Sequence, residues 1–409
     1  MADYYENKFE AELCEYLADN GWLYSPNDAG YDVARALFPD DVLGWLTETQ
    51  PEELAKVVQT DSPLDVQVKA FDGVLDRLVK VLDGDLNTSG GTLNVLRRGF
   101  ATGPATFTMA QARPADSLNP ATLARYAKNR LRVMRQVYYS QNNRRSIDLV
   151  FFLNGLPVAT AELKTDFTQS SGIAVEQYKK DRTPRDPSTK KVEPLLQFGK
   201  RALVHFAVSN TDVQMTTRLA GDDTRFLPFN LGRDGGKGNP DNPHGSATSY
   251  LWERVWQRDA WLKILLTFMH LHVDKKINPI TGEMRQNETL LFPRYHQWEV
   301  VSQLVESART DGPGQRYLVQ HSAGSGKSNS IAWSAHQLST LHRQGQKAFR
   351  SVIVVTDRTV LDAQLRETIK KIDHKAGVVV AIGDETAKSG KSKSQELTDA
   401  LNSGAAIII

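Results

Sequence analysis

The chain has 409 residues, a net charge of +2 and 24% charged residues, so it is too long for one ordinary core and too evenly charged to bind nucleic acid by net charge alone. Cys14 is the only cysteine, which excludes disulfide frameworks and cysteine-based zinc sites and fits a reducing cytoplasm. No apolar run is long enough to span a bilayer, and the acidic start Met1-Ala-Asp-Tyr-Tyr-Glu6 lacks the apolar stretch of a secretory signal, so no membrane partner is expected.

Residues 7–20 read as an amphipathic helix with Phe9, Leu13 and Leu17 at helical spacing, ended by Gly21. Glu10, Glu12 and Glu15 lie along it; a solvated face is the preferred reading, and the reach of one of them to a metal site is the alternative. Residues 34–85 carry a helical pattern, and Gly90-Gly91 breaks it. Residues 92–111 suggest strands around the turn Gly103-Pro104. Residues 122–139 are read as a basic helix with Arg125, Lys128, Arg130, Arg132 and Arg135, either a solvated face or a track for DNA phosphates.

The segment 146–164 reads as two strands joined at Asn154-Gly155, the strongest short hairpin signal because both residues tolerate positive φ. Alternation puts Val158, Thr160, Glu162 and Lys164 on one face of the second arm. A two-residue loop would pair Asp148 with Ala161 and turn the aspartate to the other face. A three-residue loop would pair it with Thr160, on the face of Glu162 and Lys164, and a bulge would serve the same end. The expectation is therefore an odd register or a bulge. Two carboxylates and a main-chain carbonyl suit Mg²⁺, a hard cation that activates water for attack on a phosphodiester. Lys164 would orient that water or stabilise the charged phosphorane. The alternative is a half-buried strand whose charges face solvent, and the apolar run Leu149–Leu153 argues against it by placing the hairpin centrally in a sheet.

A turn follows Lys164, then a helix over 173–181 whose Gln177, Lys179, Lys180 and Arg182 are placed to face a phosphate backbone. Residues 203–208 form a buried strand, and the Gly, Asn, Asp and Pro of 232–248 mark a loop or mobile excursion. Residues 250–272 read as a long helix with a packing stripe of Trp252, Trp256, Trp261 and Phe268. A domain boundary is expected near 275–288, giving domains 1–275 and 276–409.

Residues 317–320 read as a strand that runs into His321-Ser-Ala-Gly-Ser-Gly-Lys-Ser328 and a helix over 329–341. Strand, glycine loop and helix form the context of a phosphate-binding loop. Ala323, Gly324, Ser325 and Gly326 would wrap a phosphate with main-chain N–H groups, Lys327 would contact the β- and γ-phosphates of ATP, and Ser328 would ligate its Mg²⁺. Histidine stands at 321, where the general pattern has glycine. Residues 351–356, 377–382 and 405–409 are short, fully apolar strands separated by helical segments, the pattern of a parallel sheet covered on both faces. The chain stops within the last of them, which suggests a fragment. Asp384-Glu385 is read as a solvated turn, not as the acidic pair of an ATPase.

Taken together, these residues resemble the R subunit of type I restriction endonucleases. The pattern Asp148…Glu162-Leu-Lys164 is similar to that family's PD-(D/E)xK nuclease motif, with Leu96-Arg-Arg-Gly99 upstream. Phe292-Pro-Arg-Tyr-His-Gln297 resembles its adenine-reading segment, 321–328 its helicase motif I, and 354–364 its motif Ia. The resemblance implies an α/β protein: a PD-(D/E)xK domain with a mixed central sheet, then an incomplete RecA-like parallel-sheet helicase lobe. It implies that Gln297 hydrogen-bonds adenine, that Arg358 contacts DNA, and that Gln177 belongs to the nuclease site, although Asp181 stands where the family has a tyrosine after its glutamine. It further implies a Mg²⁺-dependent endonuclease fused to an ATP-driven translocase. Double-stranded DNA and methyltransferase and specificity subunits would be its partners, and this chain alone would not translocate. The rival readings are a stand-alone helicase–nuclease of phage defence or repair, and a non-catalytic DNA-binding scaffold with a degenerate nuclease fold.

Overall fold

The computed structural model describes residues 2–409 except 60, 117, 166–169, 278–281, 283, 358, 373–377 and 384–390. It divides into two compact units, one of residues 1–113 and 121–292, the other of 114–120 and 293–409. No helix among the described residues is long and apolar enough to cross a membrane.

The first unit is built on a seven-stranded mixed sheet. Its strands, in chain order and in spatial order alike, are β1 (Leu23–Ser25), β2 (Leu131–Tyr138), β3 (Ser146–Leu153), β4 (Leu156–Leu163), β5 (Val204–Val208), β6 (Val213–Thr216) and β7 (Leu227–Pro228). The pairs β1–β2 and β4–β5 are parallel and the other four are antiparallel. Every residue of β4 is buried, as is every residue of β3 after Ser146, so the hairpin 146–163 is the centre of the sheet. A helix, α1 (Ala2–Asp19), precedes the first strand, and α2 (Ser171–Lys180) follows β4. Phe151 packs against Trp22, Trp256 and Trp261, while Phe152 packs against Tyr31 and Phe38. The two faces of one strand thus anchor two layers of aromatic core.

The expected basic helix over 122–139 is not found. Only Pro120–Ala127 is helical, and 131–138 is β2. Leu131, Val133, Met134 and Val137 are all buried, so pairing with β3 overrides the local helical pattern. Nor are the arginines free for DNA. Arg132 holds Asp41 with two hydrogen bonds of 2.6 and 3.0 Å, Arg130 pairs with Glu48, and Arg135 donates to Glu10 at 3.1 Å. Asp41 is 1% exposed and keeps Arg130 at 3.4 Å, so Arg132→Ala removes its two shorter charge-assisted hydrogen bonds and should cost about 1.5–3 kcal/mol, read from urea unfolding.

Residues 92–98 are helical, and the strands expected there are only 100–102 and 105–107, around the anticipated turn. The aromatic segment 250–272 is not one long helix either. Two π-helical turns, Leu251–Val255 and Ile264–Phe268, flank the α-helix Arg258–Lys263, and His270–Ile277 leaves as a strand paired with Met284–Leu291. The tryptophans do pack as expected, with Trp256 and Trp261 fully buried.

In the second unit, β8 (Val352–Ile353), β9 (Val379–Val380) and β10 (Ile407–Ile408) form a parallel sheet with β10 in the middle. Its helices are α3 (Tyr295–Asp311), α4 (Lys327–Ser339), α5 (Thr359–Ile372) and α6 (Lys393–Asn402). Ala332, Leu365 and Ile369 cover one face at Ile407, while Ala400 packs with Ile408 on the other. The expected strand 317–320 does not form: no described strand pairs with it, and Leu318 is 92% exposed. Strand geometry needs a hydrogen-bonded neighbour, and apolar composition alone does not supply one.

Candidate active site

The hairpin β3–β4 closes with a two-residue turn, Asn154 and Gly155, both at positive φ. Leu153 faces Leu156 and Phe152 faces Pro157, the register that would turn Asp148 away. A bulge at Val158 then shifts the ladder, so that Phe151 faces Ala159 and Leu149 faces Ala161. Continued by one residue, this register sets Asp148 opposite Glu162. The three-residue loop and the pairing of Asp148 with Thr160 are therefore corrected; the bulge restores the shared face.

The shared face is visible in the contacts. Asp148 Oδ2 accepts the Leu163 N–H at 2.8 Å, and Lys164 Nζ lies 3.9 Å from the same oxygen. Lys164 also donates to the Leu163 carbonyl at 2.9 Å. Glu162 is fully buried, and its Oε1 accepts from Arg182 Nε at 2.6 Å. Its Oε2 is buried with no hydrogen-bond partner.

Arg182 is thus misplaced as a surface contact to DNA: it is 6% exposed and serves as the counter-ion of Glu162. Lys179 is half-buried beside Glu176 at 3.8 Å, an ordinary pair along a helix. Gln177 is on α2 with its Oε1 buried and unpartnered. The neighbouring Tyr178 reaches the Thr160 hydroxyl at 2.7 Å, and His205 reaches the same hydroxyl at 2.8 Å.

Glu10 is not part of a solvated face: it is 1% exposed. Gln136 Nε2 lies 3.2 Å from each Glu10 oxygen and 3.3 Å from Asp148 Oδ1, so one amide tethers the helix carboxylate to the hairpin. Gln136 holds φ at 47°, a conformation non-glycine residues seldom adopt, between ladder partners Arg135 and Val137. The signal for Glu10 was present: it precedes the buried Leu13, Cys14 and Leu17 by three, four and seven residues and so lies on the inward stripe.

Burial, and after it the charge of Asp148, pushes the Glu162 carboxyl well above the usual range, and Arg182 offsets part of this. Glu10 is raised for the same first reason. Among the described residues no group of three or more His, Cys, Asp or Glu side chains converges on one point. Two like-charged carboxylates, one with an orphaned buried oxygen, nevertheless fit Mg²⁺, which takes one or two protein carboxylates and completes its shell with water and phosphate oxygens.

A measurable consequence has a definite sign. The folded-state value of Glu162 lies above its unfolded value, so the metal-free fold loses stability as pH rises from the ordinary carboxylate range through the raised one. A cation that binds the ionised form reverses the loss. The rise in melting temperature on adding Ca²⁺ should be larger at mildly alkaline than at mildly acid pH, and Glu162→Gln should erase the difference. Equal rises in the wild type would remove Glu162 from the cation site.

In the second unit, Gly324 and Gly326 take φ of 74° and 79°, and α4 begins at Lys327. Lys327 Nζ curls back to the carbonyls of His321 and Ser322 at 3.0 and 2.9 Å, closing the loop around its own charge. Ala323 and Gly324 are exposed, Ser325 is buried, and Ser328 is half-buried in the first turn of α4. Gln297 does not present a free amide for adenine. Its Oε1 accepts the Arg294 N–H at 2.9 Å, and its Nε2 donates to the carbonyls of Ser325 and Gly326, both at 3.1 Å. His296 adds a contact of 3.0 Å to Ser325 O. The segment braces the glycine loop: a Cβ at Gly326 would sit 2.3 Å from Gln297 Nε2. Arg358 and the pair 384–385 lie outside the described residues.

Comparison with known proteins matches residues 43–224 to the model of the type I restriction enzyme R protein N terminus, and 296–409 to that of the SWI2/SNF2 ATPases. The chain is also 24% identical over 374 residues to the type I restriction enzyme HindI endonuclease subunit of Haemophilus influenzae. Together these matches support an N-terminal part of a type I restriction enzyme R protein. The match takes in 89% of this chain and 32% of that subunit, so the chain spans about a third of the length of its curated relative. The first of these models spans β2 to β6, and with them the bulged hairpin. The second spans the glycine loop and all three strands of the parallel sheet.

Proposed function

We propose that the chain supplies the DNA-cutting and ATP-binding parts of a type I restriction endonuclease. The first unit is read as a PD-(D/E)xK nuclease and the second as part of a RecA-like helicase lobe. The observation that carries the reading is the bulge at Val158, which brings Asp148, Glu162 and Lys164 to one buried face in mid-sheet. Buried charge of this kind is costly to the fold and is characteristically retained for chemistry.

Asp148 and Glu162 hold the divalent cation. Bound there, it supplies Lewis acidity and lowers the pKa of water at neutral pH. Gln136 and the Leu163 N–H fix the Asp148 carboxylate, so that its lone pairs are aimed before substrate arrives. Arg182 fixes Glu162 in the same way. Lys164, already within 3.9 Å of Asp148, holds the attacking water or the developing phosphate charge. Gln177, on α2, has a buried acceptor to spare and is read as the further residue of the site. Lys327 releases its two loop carbonyls to take the β- and γ-phosphates of ATP, with Ser328 on the accompanying Mg²⁺.

Cleavage away from a recognition site, translocation along double-stranded DNA, and assembly with methyltransferase and specificity subunits in the cytoplasm follow from the family and belong to the same proposal. Co-purification separates this reading from a stand-alone helicase–nuclease. The chain should be recovered with methyltransferase and specificity subunits from cells that express all three, and ATP-dependent cleavage should need all of them. Full activity of the R protein on its own would overturn the restriction role.

A further inference from the structure

A cleft of about 840 Å³ opens beside the nuclease residues, between α1 and the segment 241–253. Its volume is that of sites that take small organic groups, about 300–1,000 Å³. Thr165, the residue after Lys164, lines it, and so do Asn210 and Thr211 from the turn after β5. The cleft therefore lies at the carboxyl ends of the parallel pair β4–β5, where α/β sheets commonly receive ligands.

Its wall is built. The loop 232–248 is no mobile excursion, because three of its side chains tie it to the β5–β6 turn. Thr248 Oγ1 donates to Ser209 O at 2.7 Å, Ser246 Oγ to Asn210 O at 2.8 Å, and Asn239 Nδ2 to Thr211 O at 2.9 Å. A loop this long inside a compact unit commonly has a function. Phe9 and Trp252 meet edge to face at 5.7 Å on the cleft surface. The Thr165 hydroxyl is buried with no hydrogen-bond partner.

The charges select the occupant. Glu12, Asp241 and Glu253 line the cleft with Lys8 and His244; Glu12 holds Lys8 at 3.5 Å and Arg233 pairs with Asp241 at 3.1 Å, while among the described residues no cation pairs with Glu253. Such a lining offers phosphate no unpaired lysine or arginine. It suits a flat, uncharged group with N–H donors: aromatic edges meet its face, and carboxylates accept from its amino groups. We propose that the cleft receives a nucleobase turned out from the strand being cut, so that the phosphate next to it is delivered to Asp148, Glu162 and Lys164. Extrusion gives a sequence-tolerant nuclease a grip on one strand without base-pair readout.

This inference rests on the nuclease reading, and the test separates the two. The full chain is bound, in Ca²⁺, to duplex DNA carrying 4-thiothymidine throughout one strand. It is then irradiated, and cross-linked peptides are mapped by mass spectrometry. Substitution throughout the strand makes the result independent of where the protein sits. Cross-links should concentrate at Phe9 and Trp252. They should fall to background in Thr211→Trp, an exposed position where the new ring plugs the cleft; Ala247→Trp is a second plug should the first fail to fold. Ca²⁺-dependent binding of the wild type with no cross-link in the cleft, or with cross-links unchanged by a folded plug, overturns the base site and leaves the nuclease reading standing. No cation-dependent contact of the chain with DNA, either alone or assembled with methyltransferase and specificity subunits, removes both.

Discussion

Asp148→Asn should abolish DNA cleavage by the assembled restriction enzyme, by about 10³-fold or more, while nucleotide binding stays intact. The aspartate lies opposite the most buried carboxylate of the unit, and its two oxygens are already oriented by Leu163 N–H and Gln136. The asparagine variant keeps the shape and one acceptor but removes the charge a divalent cation needs. Lys164→Ala should cost about 10²–10³-fold, the usual price of one preorganised donor at a developing anion. Its ammonium sits beside Asp148 and the residue as a whole is 5% exposed, so water cannot replace it freely. Agarose gels of plasmid cleavage, run with the complete complex and ATP, read both effects. Cleavage by Lys164→Ala at the wild-type rate would remove the nuclease assignment from this hairpin and favour the non-catalytic scaffold.

The second large effect is at the glycine loop. Lys327→Ala should weaken ATP binding by about 10²-fold, or about 3 kcal/mol, because it removes charge-assisted hydrogen bonds to the phosphates. The apo loop is held in shape by that same ammonium, which bridges two of its carbonyls. Its replacement therefore loosens the loop as well as discharging it. Calorimetric titration with ATP and Mg²⁺ measures the loss, and undiminished affinity would sink the phosphate-loop role. Gln297 belongs to the same test in a different sense. Its amide is committed to the loop backbone, so Gln297→Ala should impair binding of ATP and GTP alike unless the amide turns to adenine when nucleotide arrives.

Several features were legible without coordinates because short-range chemistry dictates them. Asn154-Gly155 forms the tight turn since both residues accept positive φ, and Gly324 and Gly326 bend their loop for the same reason. Within the apolar runs 351–356, 377–382 and 405–409, Val352–Ile353, Val379–Val380 and Ile407–Ile408 pair as parallel strands, as short apolar runs separated by helices do in a sheet covered on both faces. Where the reading failed, partners distant in sequence decided the outcome. Residues 131–138 carry a helical basic stripe, but the apolar edge of β3 made a better partner than solvent, and Asp41, Glu48 and Glu10 took up the arginines. The strand expected at 317–320 has apolar side chains and no ladder to join.

The residue types of the site, their order and the tight turn between the two arms were determined by the sequence, since each follows from a side chain's own chemistry or a backbone preference within a few residues. Whether Asp148 and Glu162 share a face was left to the tertiary structure. One extra residue at Val158 reverses the alternation, and only packing of both hairpin faces against the two aromatic layers selects that register. The same long-range packing carried Glu10 and Arg182 to the carboxylates, because contacts between residues so far apart depend on how helices and sheet fit together and not on any local rule.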